Sequence, residues 1–178
     1  NPSPLRISIE SVTAVTAVAR HRLTGFLEQA GCPADVRFGA SGQEVVLEFR
    51  PGEIGAENEP VLVATNRNGS RPGPVWVTRR TAGVGSIVEL AGRDLATVAG
   101  TDPIGARLPL AALAEVGVNP AREQLYEAGD FSSALGLLLH NNTHAAASEA
   151  GLVEPMLEKN GLVVTWEGKP VSAGGWYR

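Results

Sequence analysis

Asp94-Leu95-Ala96-Thr97-Val98-Ala99, followed by Gly100-Thr101-Asp102-Pro103-Ile104-Gly105-Ala106-Arg107 and the largely apolar run from Leu108 to Val116, decides the fold class. A short apolar strand at 94–99 enters a Gly/Pro turn at 100–105, and the turn opens a helix over about 107–116. The same alternation continues downstream. A strand at 123–127, a helix at 131–140, a strand at 144–148, a helix at 152–159 and a strand at 162–166 follow. Strands alternating with single helices imply parallel pairing through right-handed crossovers, hence an α/β sheet covered on both faces.

Upstream, a strand at 5–10 leads into a helix whose Val15, Val18, Ala19, Leu23, Phe26 and Leu27 fall at helical spacing, opposite Arg20, His21, Arg22 and Glu28. Gly31-Cys32-Pro33 stops that helix, because Gly accepts a left-handed cap and Pro cannot continue. Strands at 34–38 and 44–49, a turn at Arg50-Pro51-Gly52 and a short strand at 61–64 come next. Residues Asn66 to Pro74 hold Asn-Gly, Arg-Pro and Gly-Pro, all turn formers, ahead of the alternating Val75-Trp76-Val77-Thr78-Arg79. The expected organisation is therefore two lobes, 1–70 and 74–170, with 171–178 returning towards the first.

Composition narrows the function. Fifteen Lys/Arg against 19 Asp/Glu leave a charge of −4 with no basic block, so the counterion release that drives nucleic-acid binding has no source. The longest apolar stretches, such as Ala134–Leu139, fall far short of the ~20 residues of a membrane span. Cys32 has no cysteine partner in the chain for a disulfide or a zinc cluster. The opening Asn1-Pro2-Ser3-Pro4 has no initiator Met and suits a chain trimmed by signal peptidase or by the choice of boundaries.

His140-Asn141-Asn142-Thr143-His144 places two imidazoles at i and i+4, a spacing that grips a metal when both lie on one helix face. The zinc-protease pattern needs Glu after the first His, where this chain has Asn141, and the helix is expected to end near His140. A polar helix C-terminus is the competing reading, and no metal or other cofactor is expected. Gly83-Val84-Gly85 lacks the third Gly of a dinucleotide fingerprint, and Ser132-Ser133 sits where a helix cap belongs. The turn at 100–107 offers more: its backbone N–H groups at a helix start favour an anion, unless Asp102 or Thr101 caps them. Trp76 and Arg79 on the crossing strand either line a cleft or are core and solvated charge respectively.

The run Gly85 to Ala96, then Asp102-Pro103, then Leu110 to Pro120, resembles the second lobe of periplasmic solute-binding proteins of the phosphate/phosphite/phosphonate type, which have a type II periplasmic-binding fold. Ala134–Ala147 is similar to that family's next helix and strand, and Leu5–Glu10, Gly52-Glu53-Ile54 and Leu62-Val63-Ala64-Thr65 to its first-lobe pieces. The resemblance implies a two-lobed α/β protein of mostly parallel sheets flanked by helices, with a ligand cleft between the lobes. It also implies an extracytoplasmic or periplasmic location, a small polar or anionic solute, and an ABC-transporter permease or a sensor as partner. Alternatives are a ligand-sensing domain of a signalling protein, and an enzyme or metal-binding protein on the same fold using His140 or His144.

The residues expected to line the cleft are Trp76, Arg79, Thr101, Gly105, Ala106, Arg107, Phe131 and His144, with no catalytic residue. The chain departs from the family's pattern at three places. Gly105, Ala106 and Arg107 stand where the ligand turn carries hydroxyls, His144 where a carboxylate precedes two alanines, and Phe131 near a family histidine. The family also implies a further strand and helix after Ile54, and helices after Arg178.

Overall fold

The structure is a computed structural model that describes residues 4–10, 16–39, 46–52, 54–57, 59–99, 102–172 and 174–178. In chain order the elements are β1 (Leu5–Ile9), α1 (Ala17–Gln29), β2 (Ala34–Phe38), β3 (Leu47–Pro51), β4 (Leu62–Val63), β5 (Pro74–Arg79), β6 (Leu95–Val98), α2 (Leu108–Glu115), β7 (Leu125–Ala128), α3 (Phe131–Leu139), β8 (Ala145–Glu149), α4 (Ala150–Val153), β9 (Leu162–Glu167) and β10 (Gly174–Tyr177). They form two compact units, Asn1–Ala64 with Ser172–Arg178, and Thr65–Val171. The first division falls ahead of the 66–74 turn cluster for a local reason. Asn66 Oδ1 accepts from the N–H groups of Asn68 and Ser70, and Asn68 Nδ2 donates to Glu154 Oε2 at 2.8 Å, so this turn is tied to the second unit.

The first unit is a five-stranded sheet in the order β2-β1-β3-β10-β4. Period-2 alternation in β1 sends Leu5, Ile7 and Ile9 to one face and Arg6 and Ser8 to the other. Ile7, Ile9 and Val36 are buried, and Leu23 and Leu27 of α1 pack on them together with Phe49 and Trp176. The Phe49 and Trp176 rings sit 5.2 Å apart at 59°, a tilted aromatic pair. The expected apolar face of α1 is only partly used, since Val18 and Phe26 are 56% and 66% exposed. One helix on a small sheet touches a single i, i+4 stripe, here 23 and 27, and residues about 100° round the helix point outward.

The second unit has the order β7-β6-β8-β5-β9 with a core on each face. On one face Val75, Val77, Val98, Ala146 and Leu162 meet Ala134, Leu135 and Leu138 of α3. On the other Trp76, Leu95, Ala145 and Ala147 meet Ala112 and Leu113 of α2. The pairing is mixed rather than mostly parallel. Among the described residues β1–β2, β1–β3, β6–β7 and β6–β8 are parallel, whereas β5 opposes β8 and β9, and β10 opposes β3 and β4. β5 and β10 are the strands that follow the two unit boundaries; no helical crossover within their own sheet sets their direction.

Boundaries shift by a residue or two from expectation, except that the strand expected at 44–49 is β3, Leu47–Pro51, residues 44 and 45 lying outside the described ones; two changes are larger. The helix expected at 152–159 is the single turn of α4 followed by a 3-10 turn, Glu154–Met156, which Pro155 opens. The last residues form β10, a strand the sequence reading did not assign.

Candidate functional site

In the second unit β6, β7 and β8 run parallel, so their carboxyl ends lie on one edge of the sheet. That edge is where open α/β sheets bind ligands. Each strand there ends at a carboxylate that folds back onto the next helical segment. Asp102, after β6, accepts on Oδ1 from the N–H groups of Ile104 at 2.9 Å and Gly105 at 3.1 Å. Its backbone carbonyl takes the N–H groups of Ala106 at 3.0 Å and Arg107 at 2.9 Å. Asp130, after β7, accepts from Ser133 N at 2.7 Å and so caps α3. The hydrogen bonds from Ser133, backbone first, hold the Asp130 carboxyl below its ordinary range. Glu149, at the end of β8, is buried and accepts from Gly151 N at 2.6 Å and Leu152 N at 3.3 Å.

The turn at 102–107 thus takes the capping alternative. The four N–H groups expected to face an anion, those of Ile104 to Arg107, all donate to Asp102. Residues 103–107 form one turn of π-helix in which Pro103, Ile104, Gly105 and Ala106 are buried. Gly105 is a packing requirement: a Cβ there would lie 2.6 Å from Val98 Cβ and 3.2 Å from Phe131 Cε1. The structure therefore brings Gly105, Val98 and Phe131 together, with Phe131 packed against the α3-side core. Ala106 is core, and Arg107 is exposed and engaged with a partner of its own. Thr101 lies outside the described residues.

Trp76 is a core residue. Its side chain is fully buried between β5 and α2, and Nε1 donates to Pro109 O at 2.9 Å. Arg79 is structural as well, since Nη1 donates to Leu138 O at 2.7 Å and Thr143 O at 3.2 Å, satisfying one carbonyl at the end of α3 and one ahead of β8. His144 precedes β8, where its Nδ1 accepts from Asp94 N at 3.3 Å and its N–H donates to Asp94 O at 2.8 Å. Arg79 and His144 thus sit at the amino edge of β6 and β8. The five residues of β8, about 3.3 Å each, separate that edge from the 102–107 turn. Of the described members of the predicted ligand set, Arg79 and His144 stand at one edge, Gly105, Ala106, Arg107 and Phe131 at the other, and Trp76 in the core.

The two histidines do not share a helix face. α3 ends in a Schellman motif: Asn142 N donates to Leu137 O, Asn141 N to Leu138 O, and Asn141 takes φ +61°, which asparagine tolerates. His140 is the exposed cap and His144 lies beyond it. Among the described residues no group of three or more His, Cys, Asp or Glu side chains is placed to hold a metal.

Two side chains at the carboxyl edge were not singled out in the sequence, Glu149 and Ser148. Ser148 Oγ is buried without a hydrogen-bond partner. The signal for Glu149 was present, since a carboxylate between an apolar strand and a small-residue helix start is a cap signature. Among the described residues, two pockets border β9. One of about 460 Å3 is lined by Asn66, Arg71, Gly151, Glu154 and Glu167 among others. The second, about 490 Å3, lies between α2 and the 166–171 segment, over Trp166 and beside Glu115 and Lys169.

A family profile described as ABC transporter, phosphonate, periplasmic substrate-binding protein matches residues 38–177. The chain belongs to that family. The phosphonate-binding family consists of solute-binding proteins rather than enzymes, works with ABC transporters outside the cytoplasmic membrane and takes small-molecule ligands. Among the described residues no helix is long and apolar enough to cross a membrane. No curated relative matches the sequence.

Solved structures share the fold. The binding component of an ABC phosphonate transporter from Pseudomonas aeruginosa is 13% identical, with 99% of this chain and 68% of that one covered and a TM-score of 0.67. A Xanthomonas citri protein bound to chloride is 14% identical over 97% and 76%, TM-score 0.64. A Streptococcus pneumoniae ABC uptake substrate-binding protein with bound histidine is 14% identical over 98% and 80%, TM-score 0.59. These likenesses show the two-lobed α/β architecture expected of the phosphonate-binding family.

Proposed function

We propose that this chain captures one small polar solute at the carboxyl edge of β6, β7 and β8, and presents the loaded form to a membrane permease outside the cytoplasm. The observation that carries the reading is the family match over 38–177, together with three parallel strands whose ends and following helix starts share one edge. No bond is made or broken in this work. Solute binding contributes free energy only to the state that holds it, so the loaded form accumulates by exactly that differential affinity and no more.

The fold leaves the solute open, since its relatives are bound to ligands as different as chloride and histidine. Support for a polar solute comes from the chain itself. The edge carries Asp102, Asp130, Glu149, Arg107 and Ser148. Isothermal titration and thermal-shift screening against small polar solutes test the reading. Saturable 1:1 binding with a rise in melting temperature supports it. Turnover of any bound compound, or no response to any solute class, overturns it.

A further inference from the structure

The stretch from Asn66 to Pro74, rich in Asn, Gly and Pro, has the composition of a flexible linker, yet it is fastened along its length to the second unit. Asn66 closes its first half into a loop. Its N–H donates to Ser70 O at 2.8 Å, its carbonyl accepts from Gly69 N at 3.0 Å, and its Oδ1 takes the N–H groups of Asn68 at 2.9 Å and Ser70 at 3.1 Å. The loop is then tied to α4 and the turn after it. Asn68 Nδ2 donates to Glu154 Oε2 at 2.8 Å, and a Cβ on Gly151 would lie 2.8 Å from Asn66 Nδ2, so the amide fills the space that this glycine leaves. The second half is held by its carbonyls. Pro72 O accepts from Val171 N at 2.9 Å, Gly73 O from Ala150 N at 2.9 Å and Pro74 O from Gly168 N at 2.8 Å, while the proline rings at 72 and 74 fix φ.

The joints left between the two units are correspondingly short. On the outgoing chain, Ala64 N donates to Gly174 O within the first unit and Asn66 N to Ser70 O within the second. Only Thr65 stands between these bonded frameworks; it is exposed and, among the described residues, makes no backbone hydrogen bond. On the returning chain, Val171 N is bonded to Pro72 O in the second unit, and Ser172 O accepts from Ile54 N at 3.3 Å in the first. The peptide link between 171 and 172 is the second joint.

We infer that Asn66, Asn68, Glu154 and Gly151 form a clamp that makes the Gly/Pro-rich stretch a rigid part of the second unit, and that movement between the units is confined to Thr65 and the 171–172 link. Hinges are a few terminal or loop positions that absorb the change in φ and ψ, and they need not be glycines. Asn66 is a positioning residue for solute capture. A loose 66–74 tether would spread the chain over many arrangements, and apparent affinity falls with the fraction that is competent to bind. The inference rests on the solute-capture reading for its purpose, but its test needs no solute, so the two fail separately.

Pulsed electron spin-resonance distances on the intact chain test it, between labels at the exposed native Cys32 of the first unit and at Val88→Cys, an exposed position of the second. Thr65→Gly should broaden the distance distribution, since glycine frees φ at the joint, with the melting temperature nearly unchanged. Arg71→Gly, at an exposed position inside the clamped stretch, should leave the distribution as it is, and should broaden it only when combined with Asn66→Ala. Hydrogen exchange reads the clamp itself. The Asn68 and Ser70 amides, whose acceptor is Asn66 Oδ1, should exchange roughly tenfold or more faster in Asn66→Ala, with β5 still protected. Broadening by Arg71→Gly alone to the extent of Thr65→Gly, or no broadening by Thr65→Gly, overturns the inference. So do Asn68 and Ser70 amides that exchange in the wild type as fast as unprotected backbone.

Discussion

Gly105→Ala separates a packing glycine from a ligand-approach glycine. In the structure the added Cβ would lie 2.6 Å from Val98 Cβ, 2.7 Å from Val98 Cγ2 and 3.2 Å from Phe131 Cε1. Carbon atoms in van der Waals contact sit about 3.5–4.0 Å apart, so the overlap with a β-branched strand residue is close to an ångström. Overpacking of this kind costs roughly 1–3 kcal/mol, and the lost unfolded-chain freedom of glycine returns about 0.4–1. The net expectation is a loss of about 1–2 kcal/mol, or a melting temperature lower by roughly 2–8 °C for a chain of this length. Chemical denaturation of wild type, Gly105→Ala, Val98→Gly and the double variant gives the coupling. The Gly105→Ala penalty should fall by about 1 kcal/mol or more when Val98 is removed. A neutral Gly105→Ala, or a penalty independent of residue 98, would refute the packing argument.

Three further outcomes follow from named contacts. Arg79→Ala removes two charge-assisted bonds, to Leu138 O of α3 and Thr143 O beyond it, and should destabilise by about 1.5–3 kcal/mol, with faster amide exchange over 138–144 and unchanged solute affinity. Trp76→Phe removes the indole donor to the Pro109 carbonyl and shrinks a fully buried side chain, and should cost about 1–3 kcal/mol in denaturant titrations, again without an effect on affinity. Asp130→Ala removes the α3 cap and should cost about 1 kcal/mol at neutral pH. Because the folded Asp130 carboxyl titrates below its unfolded value of about 3.9, its contribution is present above that pH and fades as pH falls through the lower folded value. The stability curves of wild type and variant should converge in acid; a gap that persists at low pH contradicts the cap.

Much of the fold was legible because strand and helix periods and their Gly/Pro punctuation are local. The strand at 34–38 and the helix at 131–140 stand where periodicity put them, to within a residue. What was not legible depends on partners distant in sequence. β10 has only Gly174-Gly175-Trp176-Tyr177, with no alternation, and becomes a strand because β3 and β4 flank it. Val18 and Phe26 read as core by spacing, yet the sheet beneath α1 reaches only the Leu23–Leu27 stripe. In the site, Asp102 was readable as a cap, but the division of the ligand set was not. Arg79 and His144 fall at the amino edge through the antiparallel β5–β8 pairing and the register of β6 with β8, neither of which a linear pattern encodes.

Native mass spectrometry of protein purified without denaturation tests the solute-binding account most directly. The account predicts one small-molecule mass increment per chain, lost under denaturing conditions and restored when the released compound is added back. A bare-chain mass in every preparation, with no compound from the medium or extract raising the melting temperature, would contradict it.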